Sequence, residues 1–112
     1  DREWSESMLE TLQLENKTGI TPDGRFTSLQ LSMGQKKRLA LLVSELEKRD
    51  IHVYDEWAAD QDPMFRKYFY EVYLNDLIKQ GKTVIAITHD DSYYHIADRI
   101  YKMDDGQLIS VK

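Results

Sequence analysis

The residues best suited to chemistry fall in three places. Asp55 and Glu56 stand side by side after the β-prone run Ile51-His52-Val53-Tyr54. His89 follows TVIAIT, Thr83 to Thr88, and Ser32, Gly34 and Gln35 precede the cations Lys36, Lys37 and Arg38. Neighbouring side chains of an extended chain point to opposite faces, so Asp55 and Glu56 cannot duplicate one another. One carboxylate at a strand tip can hold Mg²⁺ directly or through its waters, while the next orients or deprotonates an attacking water. The same pair also suits a solvated strand-to-loop transition. An imidazole at position 89 can hydrogen-bond a phosphate oxygen or polarise a water, and it also suits capping or packing. Histidine ligation of a metal is a poor alternative, because His52, His89 and His95 lack a ligand spacing such as H-x-x-x-H.

Lys36, Lys37 and Arg38 lie where a helix begins, the end at which outward N–H groups and the macrodipole disfavour positive charge. Ser32, the N–H groups near Gly34, the dipole and the three cations jointly suit a phosphate, and glycine lets it approach the backbone closely. An ordinary capped helix whose lysines reach into water is the other reading. Gly81-Lys82-Thr83 imitates the end of a phosphate-binding G-x-x-x-x-G-K-[ST] loop, but position 76 is Asp rather than Gly. Its order is also helix, GKT, strand, whereas phosphate cradling needs strand, loop, helix N-terminus. Gly81 therefore reads as a helix C-cap, and the 112 residues contain no other Gly-Lys-Ser/Thr.

The elements that must position these groups follow from periodicity and punctuation. Trp4, Met8, Leu9 and Leu12 predict an amphipathic helix within residues 2 to 14, and Asn16 to Ser28 reads as a loop around Gly19, Pro22-Asp23 and Gly24. Ser32 with Gln35 forms a capping box, and Leu39, Leu42, Val43 and Leu46 predict a helix from about Met33 to Lys48. Ile51 to Tyr54 predicts a buried strand. Asp62-Pro63 reads as N-cap and N1 of a helix that buries Phe65, Phe69, Val72, Tyr73 and Leu77 and ends at Gly81. Thr83 to Thr88 is a second strand, a short helix covers about Ser92 to Asp98, and Ile100 to Met103 with Leu108 to Val111 flank Asp105-Gly106 as a hairpin. Alternating helix and strand imply an α/β fold with parallel neighbours and crossover helices. Sites in such sheets form at the carboxyl ends of the strands, where Asp55-Glu56 and His89 both fall.

Composition narrows the classes. With 41% hydrophobic and 31% charged residues the chain fits one globular domain or part of one. A net charge of −5 with a single dense basic cluster argues against nucleic-acid binding. The absence of cysteine excludes disulfides and thiolate metal sites. The longest apolar runs, Leu39 to Val43 and Val84 to Ile87, are too short to span a bilayer, and no signal-peptide pattern opens the chain.

Taken in order, LSMGQ at Leu31 to Gln35, 19 residues from Lys36 to Tyr54, then Asp55-Glu56, Asp62 and His89 resemble the ABC-transporter ATPase family. The wording YDEWAADQDP, with GQKKRLALL before it and GKTVIAITHDD after it, is most similar to the cyclic-peptide and siderophore exporters of that family. The resemblance implies a partial P-loop NTPase fold with a C-terminal β-hairpin. Leu31 to Gln35 would be the signature motif, Ile51 to Asp55 the Walker B strand, Glu56 the catalytic glutamate, Ala58 to Asp62 the D-loop and His89 the switch histidine. It implies Mg²⁺ at Asp55, ATP contacts from Ser32, Gly34, Gln35 and Asp62, and catalysis by Glu56 and His89. In that family two ATPase domains dimerise head to tail, and the signature of one grips the γ-phosphate held by the other's P-loop. The implied partners are thus a second ATPase domain and a transmembrane domain, at the cytoplasmic face of the membrane.

Residues 1 to 30 match only loosely, as the end of the helical subdomain, and residues 31 to 112 match the C-terminal part of the ATPase core. Met33 replaces a usual small residue of the signature, Trp57 a frequent proline, and Asp60-Gln61 alter the D-loop. The P-loop half is absent from these 112 residues, so the chain by itself is expected to be inactive, with unpaired edges on its parallel sheet. An ABC ATPase without transport, or a non-catalytic interaction domain of the same shape, are the alternative readings.

Overall fold

The computed structural model describes residues 2–112, and Asp1, the first residue of the loosely matching segment, lies outside them. The chain divides into two compact units, one ending at Asp50 and the other Ile51–Lys112. The boundary expected between residues 30 and 31 lies inside the first unit.

In the first unit, α1 (Arg2–Thr11) packs against α2 (Met33–Glu47). Leu9 of α1, then Leu12 and Leu14 just beyond it, and Leu39, Leu41 and Leu42 of α2 are buried. Leu46, expected on the buried stripe, is exposed, and Leu41 is buried instead. The stretch from Asn16 to Ser28 is more ordered than a plain loop: Ile20 and Phe26 form an antiparallel bridge, and the buried Thr18 hydroxyl donates to the Ser28 carbonyl at 2.8 Å.

The second unit is a β-α-β arrangement followed by a hairpin. Strand β1 (Ile51–Asp55) pairs in parallel with β2 (Thr83–Ile87), with Ile51 opposite Thr83 and Asp55 opposite Ile87. Between them come a 3₁₀ turn (Trp57–Asp60), α3 (Pro63–Lys67), a π-helical turn (Tyr68–Tyr73) and α4 (Leu74–Lys79). Asp62 caps α3, its carboxylate accepting from the Phe65 N–H at 2.9 Å with Pro63 in the first turn. At the far end Gly81, at φ +81°, donates to the Ile78 carbonyl at 2.9 Å, and the Lys82 N–H donates to the Leu77 carbonyl at 3.0 Å. Those two bonds make a Schellman motif, so Gly81-Lys82-Thr83 ends a helix.

The core beneath the sheet is aromatic. The buried Phe69 ring stacks on Trp57 at 4.4 Å and meets Tyr54 edge-on at 5.2 Å. His52 is buried beside Tyr54, whose hydroxyl lies 3.3 Å from His52 Nδ1 and 3.4 Å from the Tyr73 hydroxyl. Val72, expected among the buried residues of this helix, is exposed, and Tyr70 is buried. The π-helical turn accounts for the exchange, since its i→i+5 bonds advance each residue through a smaller angle and rotate the buried face.

Strand β1 is not buried as expected, and β2 is equally open. Ile51, Val53, Ile85 and Ile87 all present at least half their surface to solvent. Among the described residues the parallel sheet has two strands, with helices covering the face that carries Tyr54. A second antiparallel pair, β3 (Tyr101–Asp104) and β4 (Gln107–Ser110), turns through Asp105 at φ 48° and Gly106 at φ 75°, the two positive dihedrals of a type I′ turn. The 3₁₀ turn Asp91–Ile96 stands where a short helix was expected. The whole is a mixed helix-and-strand structure compatible with part of an ABC ATPase.

Candidate functional site

The carboxyl ends of β1 and β2 are adjacent, and Glu56 and His89 meet there. Glu56 leaves the strand at φ 51°, ψ 42°, a left-handed conformation, while its N–H extends the ladder to the Ile87 carbonyl at 2.7 Å. A non-glycine residue held there costs roughly 1–2 kcal/mol, a strain that concentrates at functional positions. The turn aims the Glu56 carboxylate at His89, whose Nε2 lies 3.0 Å from Glu56 Oε1. With Nε2 protonated the imidazole donates to the carboxylate. The His89 side chain is 92% exposed, so an ion pair there is worth at most about 1 kcal/mol, and stability does not explain it.

Asp55 is exposed at the end of β1, opposite Ile87. Among the described residues no group of three or more His, Asp or Glu side chains could hold a metal ion, and the single exposed Asp55 carboxylate falls short of a Mg²⁺ shell. These residues do not form a metal site alone. The Gly81-Lys82-Thr83 run caps α4 rather than opening a helix.

Trp57 and Gln61, two departures from the family wording, are buried, and Trp57 stacks on Phe69. They anchor the turn after Glu56. Arg66 Nε reaches back from α3 to the Ala58 carbonyl at 3.2 Å and fastens the same turn to the helix. Asp62 is occupied as the cap of α3.

Ser32, Gly34 and Gln35 belong to the first unit. The Gln35 N–H donates to Ser32 Oγ at 3.1 Å, and the Ser32 N–H donates to Gln35 Oε1 at 2.9 Å, a complete capping box. Ser32 Oγ accepts here, which leaves its hydroxyl proton to donate outward. Two residues that sequence reasoning did not single out meet one position before His89, where the Tyr70 hydroxyl lies 2.8 Å from Thr88 Oγ1. A Thr two residues before Asp90 is a readable turn former; nothing in the sequence pairs it with Tyr70.

No family model matches the chain. It is 52% identical over 106 residues, 95% of its length, to the ATP-binding protein SyrD of Pseudomonas syringae pv. syringae, of which it covers 19%. The chain belongs to the ATP-binding proteins of ABC transporters. It is also 37% identical over 94 residues (84% of its length) to the energy-coupling factor transporter ATP-binding protein EcfA1 of Mycoplasmoides gallisepticum, covering 33% of that protein. With the macrolide export ATP-binding/permease protein MacB of Psychrobacter cryohalolentis the identity is 32% over 108 residues, 96% of this chain and 15% of MacB. The chain thus spans between about a seventh and a third of these relatives, of which MacB is named for macrolide export. No helix among the described residues is long and apolar enough to cross a membrane.

Proposed function

We propose that this chain is the C-terminal part of the ATP-hydrolysing domain of an ABC exporter, of the type that moves cyclic peptides or siderophores. The observation that carries the reading is the contact between Glu56 and His89 at the tips of two adjacent parallel strands. In this reading a longer protein supplies the P-loop, and bound Mg²⁺ would supply charge neutralisation at the phosphates, with Asp55 as one of its ligands. Glu56 accepts a hydrogen bond from the attacking water and orients it; His89, held against Glu56, presents its ring to the γ-phosphate. Ser32, Gly34 and Gln35 act at the other end of a head-to-tail dimer, where the Ser32 hydroxyl, the N-terminal end of α2 and its dipole receive a phosphate held by the partner domain. Asp62 closes the D-loop at that interface by fixing the start of α3. A transmembrane domain completes the exporter and places these residues at the cytoplasmic face of the membrane.

The test is Glu56→Gln in the longer protein. The amide keeps size and hydrogen bonding but loses the negative charge that polarises water, so ATP binding should persist and turnover should be lost. Near-normal hydrolysis would remove Glu56 from this role. An ABC ATPase without transport would pass the same test and differ only in having no membrane partner.

A further inference from the structure

His89 is nearly fully exposed, so side-chain packing does not hold it in place. Its position is set by the backbone on either side, where the Asp90 carbonyl accepts from the Tyr93 N–H at 3.3 Å and Thr88 makes the remaining ties. Thr88 Oγ1 accepts from the Asp90 N–H at 3.0 Å, closing a tight turn with His89 at its apex. The Tyr94 hydroxyl donates to the Thr88 carbonyl at 3.3 Å. Beneath both, the Tyr70 hydroxyl lies 2.8 Å from Thr88 Oγ1. Tyr70 is itself rigidly seated: it is 5% exposed and its ring stacks on Tyr93 at 4.5 Å, with an interplanar angle of 18°. It belongs to the π-helical turn, without which the buried face would not carry residue 70.

We propose that Tyr70 is a positioning residue for His89, its phenol holding the Thr88 hydroxyl so that the turn from residue 88 to residue 90 presents the imidazole to Glu56. The proposal rests on the catalytic reading of His89 given above. Tyr70→Phe keeps the ring and its stacking on Tyr93 and removes only the oxygen. Thr88→Val removes the hydroxyl at the other end of the bond, and Thr88→Ser restores it.

Two readouts separate positioning from simple structural support. In the 112-residue chain, amide hydrogen exchange at Asp90 should quicken by about five- to thirtyfold in Tyr70→Phe and in Thr88→Val, and should return toward the parent rate in Thr88→Ser. In the longer ATPase, Tyr70→Phe should lower kcat by about ten- to a hundredfold with KM for ATP unchanged, and should cost nothing further in a His89→Ala background. Unchanged Asp90 exchange in Tyr70→Phe, or an equal loss of kcat with and without His89, would overturn the proposal. Wild-type turnover in His89→Ala alone would instead sink the catalytic reading of His89, and the exchange rates would still decide whether Tyr70 holds the turn.

Discussion

Gly81→Ala separates a helix cap from a phosphate loop. Gly81 sits at φ +81°, and a Cβ added there meets nothing within 4 Å, so the substitution introduces no clash. Its whole effect is conformational. Placing an L-residue in the left-handed region costs roughly 1–2 kcal/mol, and a stiffer unfolded chain returns about 0.4–1 kcal/mol of that. A net loss of about 1 kcal/mol follows. With a urea slope of about 1–3 kcal/mol/M, the unfolding midpoint of the 112-residue chain should fall by about 0.3–1 M with the slope unchanged. Gln80, one residue earlier at φ −78°, is the control, and Gln80→Ala should stay within about 0.5 kcal/mol of the parent. Circular dichroism at rising urea, with and without inorganic phosphate, measures both. Equal midpoints for the two variants would refute the cap. Phosphate that protects the parent and not Gly81→Ala would show a genuine phosphate loop.

Three further outcomes follow from the same structure. Calorimetric titration of the 112-residue chain with MgATP should show no micromolar binding, because an exposed helix N-terminus contributes only about 0.3–1 kcal/mol toward an anion; saturation at micromolar ATP would reveal an unread site. Ser32→Arg removes the cap of α2 at a cost of about 1 kcal/mol, and under the proposed signature role it blocks the side that would receive the partner's phosphate, so ATP-driven dimerisation of the longer protein should fail; unaltered dimerisation would end the signature reading. Burial pushes the Tyr70 phenol above its ordinary 10.0, the Thr88 hydrogen bond opposes this, and the Asp90 carboxylate adds to the rise. The folded state then holds the proton more tightly than the unfolded state, so this stability is fully present below pH 10.0 and is lost as pH rises through the folded value. Unfolding midpoints measured from pH 8 to about 11 should fall less in Tyr70→Phe than in the parent, and parallel curves would contradict the assignment.

Much of the architecture was legible because it depends on local chemistry. The Ser32–Gln35 box, the Asp62-Pro63 start, the Gly81 stop and the Asp105-Gly106 turn all form where their residue types place them. The meeting of Glu56 and His89 was legible at one remove, since parallel neighbours put both strand tips at one edge. Three features depend on non-local or irregular backbone and were not legible. The π-helical turn exchanges Val72 for Tyr70 in the core, and a 3.6-residue period cannot anticipate it. Glu56 adopts a left-handed conformation that its residue type does not favour. Strand β1 read as buried because Ile51 and Val53 have strand-core composition, yet a two-stranded sheet with helices on one side leaves the other side open.

The central claim, that Glu56 and His89 act together in ATP hydrolysis, is tested most directly by phosphate release from the longer protein carrying Glu56→Gln, His89→Ala and both. Groups that act as a unit lose most of their effect with the first substitution. The double variant should therefore be no slower than the slower single variant, with ATP binding retained in all three. Losses that multiply in the double variant, or wild-type turnover in either single variant, would contradict the pairing at the strand tips.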